Sequence, residues 1–115
     1  MDEAAASRLE GRDTLERGRT AVERRVWDSG CASLMAADDS GVLTEPEDIE
    51  RLALCAQLTG RQELAEAHWA RAHECFVDRG DIRGAVRCAF WLGLVLIVGR
   101  GVEARGGAWI GRARR

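Results

Sequence analysis

The chain has 115 residues, enough for one small domain, and 46% of them are hydrophobic, so a buried core can form. Its formal net charge is −2 and all 17 basic residues are Arg, which indicates GC-rich coding and gives little support to a nucleic-acid-binding surface. Residues 1–12 lack a basic start followed by an apolar run, so no secretory signal peptide is predicted.

Charge is unevenly distributed along the chain. Residues 1–60 contain 7 Arg and 13 acidic residues, whereas residues 61–115 contain 10 Arg and 6 acidic residues. An acidic first half beside a basic second half favours self-association or docking to another protein. The cysteines form no CxxC pair and lie in apolar patterns, so we expect buried thiols in a reducing cytoplasm: Cys31, Cys55, Cys75 and Cys88.

The first third of the sequence predicts a flexible leader over residues 1–12 and then two helices. Asp13 begins a capping box, in which side chains bind the free amides at a helix start. The first helix would extend to about residue 25, and the second would run from Trp27 to the Asp-Asp-Ser-Gly run. Gly18 and Gly30 weaken this pair, since glycine inside a helix costs about 1 kcal/mol relative to alanine.

The middle of the chain gives the clearest helix signals. Thr44-Glu45-Pro46-Glu47 predicts a second capping box with proline in the first turn, where its missing amide costs nothing. This helix ends before Gly60. The next, from about Gln62 to Arg79, ends at Gly80 in the left-handed position, and Asp81 caps its successor. Its predicted buried face has spacings of 4, 3 and 4: Ala65, Trp69, Ala72 and Phe76.

The fifth pattern, from about Ile82 to Val98, is apolar on every side after residue 90. Such a helix needs neighbours in several directions. Its uncharged run, residues 88–99, has 12 residues, short of the roughly 20 that cross a membrane, so no membrane span is predicted. A turn at Gly99 and a last helix from about Val102 follow, and that helix is unfinished at Arg115.

An internal repeat is visible at an offset of 40 residues. Leu52-Ala53-Leu54 aligns with Leu92-Gly93-Leu94, and Trp69 aligns with Trp109. A small residue, Ala53 or Gly93, would let the paired helix come close, and the Trp would fill the gap between units. This pattern resembles the tetratricopeptide repeat over roughly residues 45–115. Two positions that are usually alanine differ: Arg105 and Arg112.

A narrower resemblance concerns three segments, Trp69-Ala70-Arg71-Ala72, Asp78-Arg79-Gly80-Asp81 and Ala89-Phe90-Trp91-Leu92. Together they are similar to the repeat segment of actinobacterial LuxR-type transcription regulators, in which helix pairs precede a helix-turn-helix. The resemblance implies a regulatory or oligomerisation segment. No DNA-reading helix is carried over, because these 115 residues contain no helix-turn-helix pattern.

The sharpest alternative is a dinucleotide site at Gly99-Ala104. An apolar strand over Leu94–Val98 followed by Gly-x-Gly-x-x-Ala would place a pyrophosphate at a helix start. However, a helical pattern precedes this segment, and the sequence ends 11 residues after Ala104, short of the acidic residue expected about 20 positions later. The glycines serve equally well as a turn between helices.

Three further hypotheses about function, a zinc site, a catalytic Cys–His pair and an arginine-lined groove, have less support than a structural role for the same residues. His68 and Cys75 share a helix face, but a closed zinc site needs four ligands, and His73 points elsewhere. A Cys–His nucleophile pair lacks a third, orienting group. Arg83 and Arg87 could line a groove for an acidic partner, but a solvated helix face is the favoured explanation.

We therefore expect an all-α fold in which antiparallel helix pairs stack as a short tetratricopeptide-like solenoid over residues 13–115, with about three pairs and the last one incomplete. The predicted function is a non-enzymatic, cytoplasmic interaction segment without catalytic, cofactor or metal sites. It would bind a protein partner, or a second copy, on the concave surface formed by the first helices of each pair, without contacting nucleic acid or membrane. A purely structural dimerisation module is the remaining alternative.

Overall fold

The structure is a computed structural model that describes the backbone of residues 2–113 and the side chains of residues 2–99. Within this range all regular structure is helical, which confirms the all-α fold. The described residues form five helices: α1 (Glu3–Glu23), α2 (Trp27–Asp39), α3 (Pro46–Leu58), α4 (Gln62–Arg79) and α5 (Ile82–Ala113). Each helix packs mainly on its neighbours in sequence, and α1 also contacts α3.

Helix α1 begins ten residues earlier than predicted. Asp2 caps it by accepting a hydrogen bond from the Ala5 amide at 2.7 Å, so the start predicted at Asp13 is wrong. Residues 3–12, predicted as a flexible leader, form its first turns. Buried Gly11 lets these turns approach the end of α2, since a Cβ there would lie 3.0 Å from the Cβ of Ser40.

The two glycines that weaken α1 and α2 locally are the points at which helices approach. A Cβ on Gly18 would lie 2.7 Å from a methyl carbon of Leu34. A Cβ on Gly30 would lie 3.1 Å from the sulfur of Cys55 on α3. These positions therefore lose helix propensity but allow the close packing that joins α1, α2 and α3.

Pro46 lies in the first turn of α3 as predicted, but the helix begins there, one residue later than a cap at Thr44 implies, and the predicted capping box is wrong. Glu45 occupies the cap position, and no side chain binds the free amides there. The amides of Asp48 and Ile49 instead donate to the Glu45 carbonyl. Glu47 is then free to accept hydrogen bonds from Arg79 at the end of α4.

Helix α4 agrees with the prediction at both ends and on its buried face. Gly80 has φ +78°, and Asp81 accepts a hydrogen bond from the Gly84 amide at 3.0 Å, so both predicted roles are confirmed. Gly60, with φ +77°, closes α3 as predicted. The predicted face of α4 is buried: Ala65, Trp69, Ala72 and Phe76.

Helix α5 contradicts the predicted end of the fifth helix. It continues without interruption to Ala113, so the turn at Gly99 and the separate last helix from Val102 are wrong. Gly99 lies inside α5 and packs against the side chain of Gln62. The side chains of Trp109, Arg105 and Arg112, on which the third repeat unit depends, lie outside the described residues.

The close approach of α4 and α5 occurs at a different glycine from the one predicted. A Cβ on Gly84 would lie 2.4 Å from the Phe76 ring, whereas a Cβ on Gly93 would meet nothing within 4 Å. Ala53, its counterpart in the repeat register, is fully buried as predicted. Gly93 therefore faces open space, and the prediction that it receives a paired helix is wrong for the described residues.

The core lies on both sides of α3 and on the inner face of α4. Its largest fully enclosed apolar side chains are Trp69, Phe76, Leu34, Leu43, Ile49 and Leu52. Three cysteines are buried as predicted and Cys75 is only half-buried. In the part of α5 whose side chains are described, Ile82–Gly99, a strip reaches this core through Ala85, Cys88 and Val95, and Trp91 and Leu92 pack against it in part. The outer face of the same stretch is exposed, contrary to the prediction that neighbours cover it on every side.

Candidate interaction surface

A groove runs between α3 and α5, with α4 beneath it. It encloses about 370 Å³. We call it the α3–α5 groove, and seven side chains line it: Glu47, Glu50, Arg51, Leu54, Trp69, Arg87 and Trp91. Its lining combines an aromatic floor with paired charges on the walls, a composition suited to a peptide segment and lacking a nucleophile.

The floor of the α3–α5 groove is a pair of stacked indoles. The ring centroids of Trp69 and Trp91 are 6.1 Å apart and the planes differ by 17°. Trp69 is buried, and its Nε1 donates to Oε1 of Gln57 at 2.9 Å, which fixes the ring. Trp91 is half-buried, and Phe90 packs edge-on against it at 5.5 Å. An indole that is held from below and open above can contact a ligand without reordering.

The walls of the α3–α5 groove carry charges that are already paired. Arg87 on α5 donates to Glu50 on α3, with Nη2 2.9 Å from Oε1. This pair holds α5 against α3, and it raises the pKa of Arg87 above its ordinary value. Of the two arginines considered for an acidic-partner groove, Arg87 lines the α3–α5 groove, where Glu50 neutralises it. Arg83 does not line the groove and is exposed, as the favoured solvated-face interpretation expected.

A buried carboxylate links α1 to α3 beside the groove. Asp48 is 1% exposed, and Arg19 binds it through two hydrogen bonds, of 2.8 Å from Nε and 2.6 Å from Nη2. Arg51 donates a third at 2.8 Å, so both oxygens are satisfied. Sequence reasoning missed this cluster, because Asp48 looks like any acidic residue in a first helical turn. The only local signal is Arg51 three residues later.

The histidines that could have formed a metal site are used elsewhere. Nδ1 of His68 lies 2.9 Å from the Leu64 carbonyl, and its Nε2 lies 3.6 Å from Asp38. His73 contacts the Ala85 carbonyl at 2.8 Å and so joins α4 to α5. Among the described residues, no three His, Cys, Asp or Glu side chains are grouped so that they could hold a metal ion.

The buried cysteines are poor nucleophiles. Burial raises the pKa of Cys55 to about 11 and that of Cys88 to about 12; the nearby carboxylate of Glu50 adds to the second shift. Because the thiolate is the reactive form, both groups remain protonated thiols near neutral pH.

The dinucleotide alternative fails on its first requirement. Leu94–Val98, the strand that should lead into the glycine turn, lies within α5 and is helical. Gly99 is packed inside the same helix, and the side chains of Arg100–Ala104 lie outside the described residues. A helix cannot supply the strand-to-helix turn that cradles a pyrophosphate.

One helix is long and apolar enough to cross a membrane by length and composition. The stretch is Ile82–Gly99, with a mean hydropathy of 1.7 over 18 residues, of which 28% are buried. This is weak evidence for a span, because core helices of soluble proteins have the same composition. The ion pair of Arg87 with Glu50 and the buried strip of α5 tie this helix to α3 and α4.

Comparison with known proteins adds no relative: no family model, curated protein or solved structure matches this chain.

Proposed function

We propose that this chain is a non-catalytic, tetratricopeptide-like protein-interaction segment, similar to the repeat segment of LuxR-type transcription regulators. The observation that carries the proposal is the α3–α5 groove, in which Trp91 lies exposed on its upper side above a fixed Trp69. Paired antiparallel helices with small residues at their contacts, such as buried Ala53 and Ala65, support the repeat assignment. On this proposal the chain acts in the cytoplasm by binding protein, and uses no cofactor or metal.

The partner that fits the α3–α5 groove is a short peptide segment with an apolar anchor. Leu54 and Trp91 offer apolar surface, while the Glu50–Arg87 pair and Glu47, which is itself paired with Arg79 outside the groove, line the edge. Because these charges are already paired, strongly charged ligands would have to break an ion pair. An aliphatic or aromatic residue on the peptide, flanked by polar ones, needs no such rearrangement.

Selection from a displayed peptide library tests this proposal. Peptides selected on the purified chain should bind the wild type and lose at least tenfold in affinity with Leu54→Glu, which places a charge in the groove. Leu9→Glu, at a 49% exposed leucine on α1, is the matched control and should leave binding unchanged. Selected peptides that bind both variants equally would refute the groove as the binding site.

The regulatory part of the proposal needs a separate test. If the segment belongs to a LuxR-type regulator, the full coding frame containing it should also encode a helix-turn-helix. A frame that instead encodes a catalytic domain would refute the regulator assignment and leave the peptide-binding groove intact.

A further inference from the structure

Helix α5 exposes a line of large apolar side chains that are not among those lining the α3–α5 groove. Four large side chains along it are between 62% and 76% exposed: Ile82, Val86, Phe90 and Ile97. Together with Gly93 they form what we call the α5 outer stripe. Their spacings of 4, 4, 3 and 4 residues keep them on one side of a helix over about four turns.

The α5 outer stripe contains a large exposed side chain, Phe90, next to a position without a side chain, Gly93. Phe90 projects from the helix, and three residues later Gly93 leaves open space, with nothing within 4 Å of the Cβ that it lacks. Ala89 widens the gap, since it is small and exposed. Gly93 therefore serves no contact within the described chain, although glycine costs α5 about 1 kcal/mol relative to alanine.

We propose that the α5 outer stripe is the interface of an antiparallel homodimer, with the two-fold axis level with the Trp91–Leu92 bond. In an isologous interface each residue pair occurs twice. With this axis Phe90 of one copy lies over Gly93 of the other, and Val86 lies opposite Ile97. The projecting ring then fills the open space twice, and β-branched side chains meet on both sides of it.

The exposed apolar area along α5 approaches the area that a dimer interface needs. Its four large side chains, with the more marginal Leu94 and Val98, expose on the order of 600–700 Å² per copy, near the roughly 800 Å² that each partner contributes to a standard interface. A single continuous apolar patch of this size is uncommon on a monomer. Phe90 could also insert into a lipid surface, but lipid binding would not explain the open space beside Gly93. The Phe90 side chain of a second copy would fill that space.

None of the stripe residues lines the α3–α5 groove, but Phe90 packs edge-on against Trp91 in the groove floor. Gly93→Leu is therefore the variant that tests the dimer separately from the groove. Sedimentation velocity over about 1–100 µM, a range that brackets a micromolar dissociation constant, should show a monomer–dimer equilibrium. Phe90→Ala should weaken dimerisation at least tenfold, and Gly93→Leu, which fills the open space, should abolish it. Circular dichroism should show that both variants stay helical, since neither side chain supports the core. Leu9→Glu should dimerise as the wild type does.

Nitroxide labels distinguish the antiparallel arrangement from a parallel one. In a Cys75→Ala background, in which the remaining thiols are buried, labels on Ala89→Cys should lie about 8 Å apart along the helix axis at 1.5 Å per residue. Labels on Arg83→Cys should lie about 26 Å apart along the same axis. Two short distances would indicate a parallel pair and overturn the proposed geometry.

Three outcomes would overturn the dimer itself. One is a monomer at about 100 µM, far above the micromolar range expected here. Another is a dimer that survives both Phe90→Ala and Gly93→Leu. The third is a monomer that binds phosphatidylcholine–phosphatidylglycerol vesicles through Phe90, because the stripe would then be a membrane-binding surface.

Discussion

Removing the indole of Trp69 should destabilise the chain by about 3–5 kcal/mol. Trp69 is 2% exposed, so folding removes most of its roughly 200 Å² from water, worth up to about 5 kcal/mol at 25 cal/mol per Å². Trp69→Ala also removes the stack with Trp91 and leaves a cavity between α3, α4 and α5. Partial collapse around the cavity offsets some of this loss, which gives the lower end of the range.

Urea unfolding followed by far-UV circular dichroism measures the effect without relying on the removed fluorophore. With a urea dependence of about 1.5 kcal/mol per molar, the midpoint should fall by about 2–3 M. Trp69→Phe keeps an aromatic ring in the core but loses the hydrogen bond to Gln57 and part of the buried indole, so it should cost less than Trp69→Ala, about 1–3 kcal/mol. Trp27→Ala, at a half-buried indole on α2, should cost less than Trp69→Ala.

A loss below about 1 kcal/mol for Trp69→Ala would refute the reasoning, because truncation of a truly buried Trp costs several kcal/mol. It would mean that the face of α4 assigned to the core is exposed in solution. If Trp27→Ala lowered the free energy of unfolding as much as Trp69→Ala, the difference in burial between the two indoles would not explain their contributions to stability.

Three further predictions follow from single contacts. In urea unfolding, Gly84→Ala should destabilise the chain, since its Cβ would lie 2.4 Å from the Phe76 ring, whereas Gly93→Ala should stabilise the monomer by up to about 1 kcal/mol. The hydrogen bonds from Arg79 lower the pKa of Glu47. Their contribution to the free energy of unfolding is therefore present above pH about 4.3 and is lost as pH falls through the lowered pKa. In thermal unfolding between pH 2 and 6, the melting temperature should fall less steeply with decreasing pH for Glu47→Gln than for the wild type. Ellman's reagent should label Cys75 well before the three buried thiols, and equal rates at all four would contradict the burial.

The α3–α4 pair shows how much of the fold is predictable from sequence. Pro46, Gly60 and Gly80 each mark a helix boundary through a local restriction on backbone angles, and the structure places each boundary there. The buried face around Trp69 follows from helical periodicity alone. These features need no knowledge of distant contacts, and for that reason the sequence was enough to predict them.

The errors arise where distant residues decide the outcome. Asp48 resembles a solvent-exposed helix-start acid until Arg19, 29 positions earlier, is brought to it by the packing of α1 on α3. Gly84 and Gly93 are equally small, and only the position of Phe76 decides which of them is needed for close packing. The groove also depends on such pairing, since Glu50 and Arg87 are 37 positions apart.

In helix α5, some features follow from the local sequence and others depend on distant contacts. Its apolar sequence predicts neighbours on several sides, but over Ile82–Gly99 the other helices bury only the strip that faces α4 and leave the outer face exposed. In a stacked repeat, the next helix pair would occupy the remaining face; in a dimer, a second α5 would do so. The exposed Phe90 ring and the open space beside Gly93, three residues away, favour the second copy, because an antiparallel pair places each ring over the glycine of the other copy.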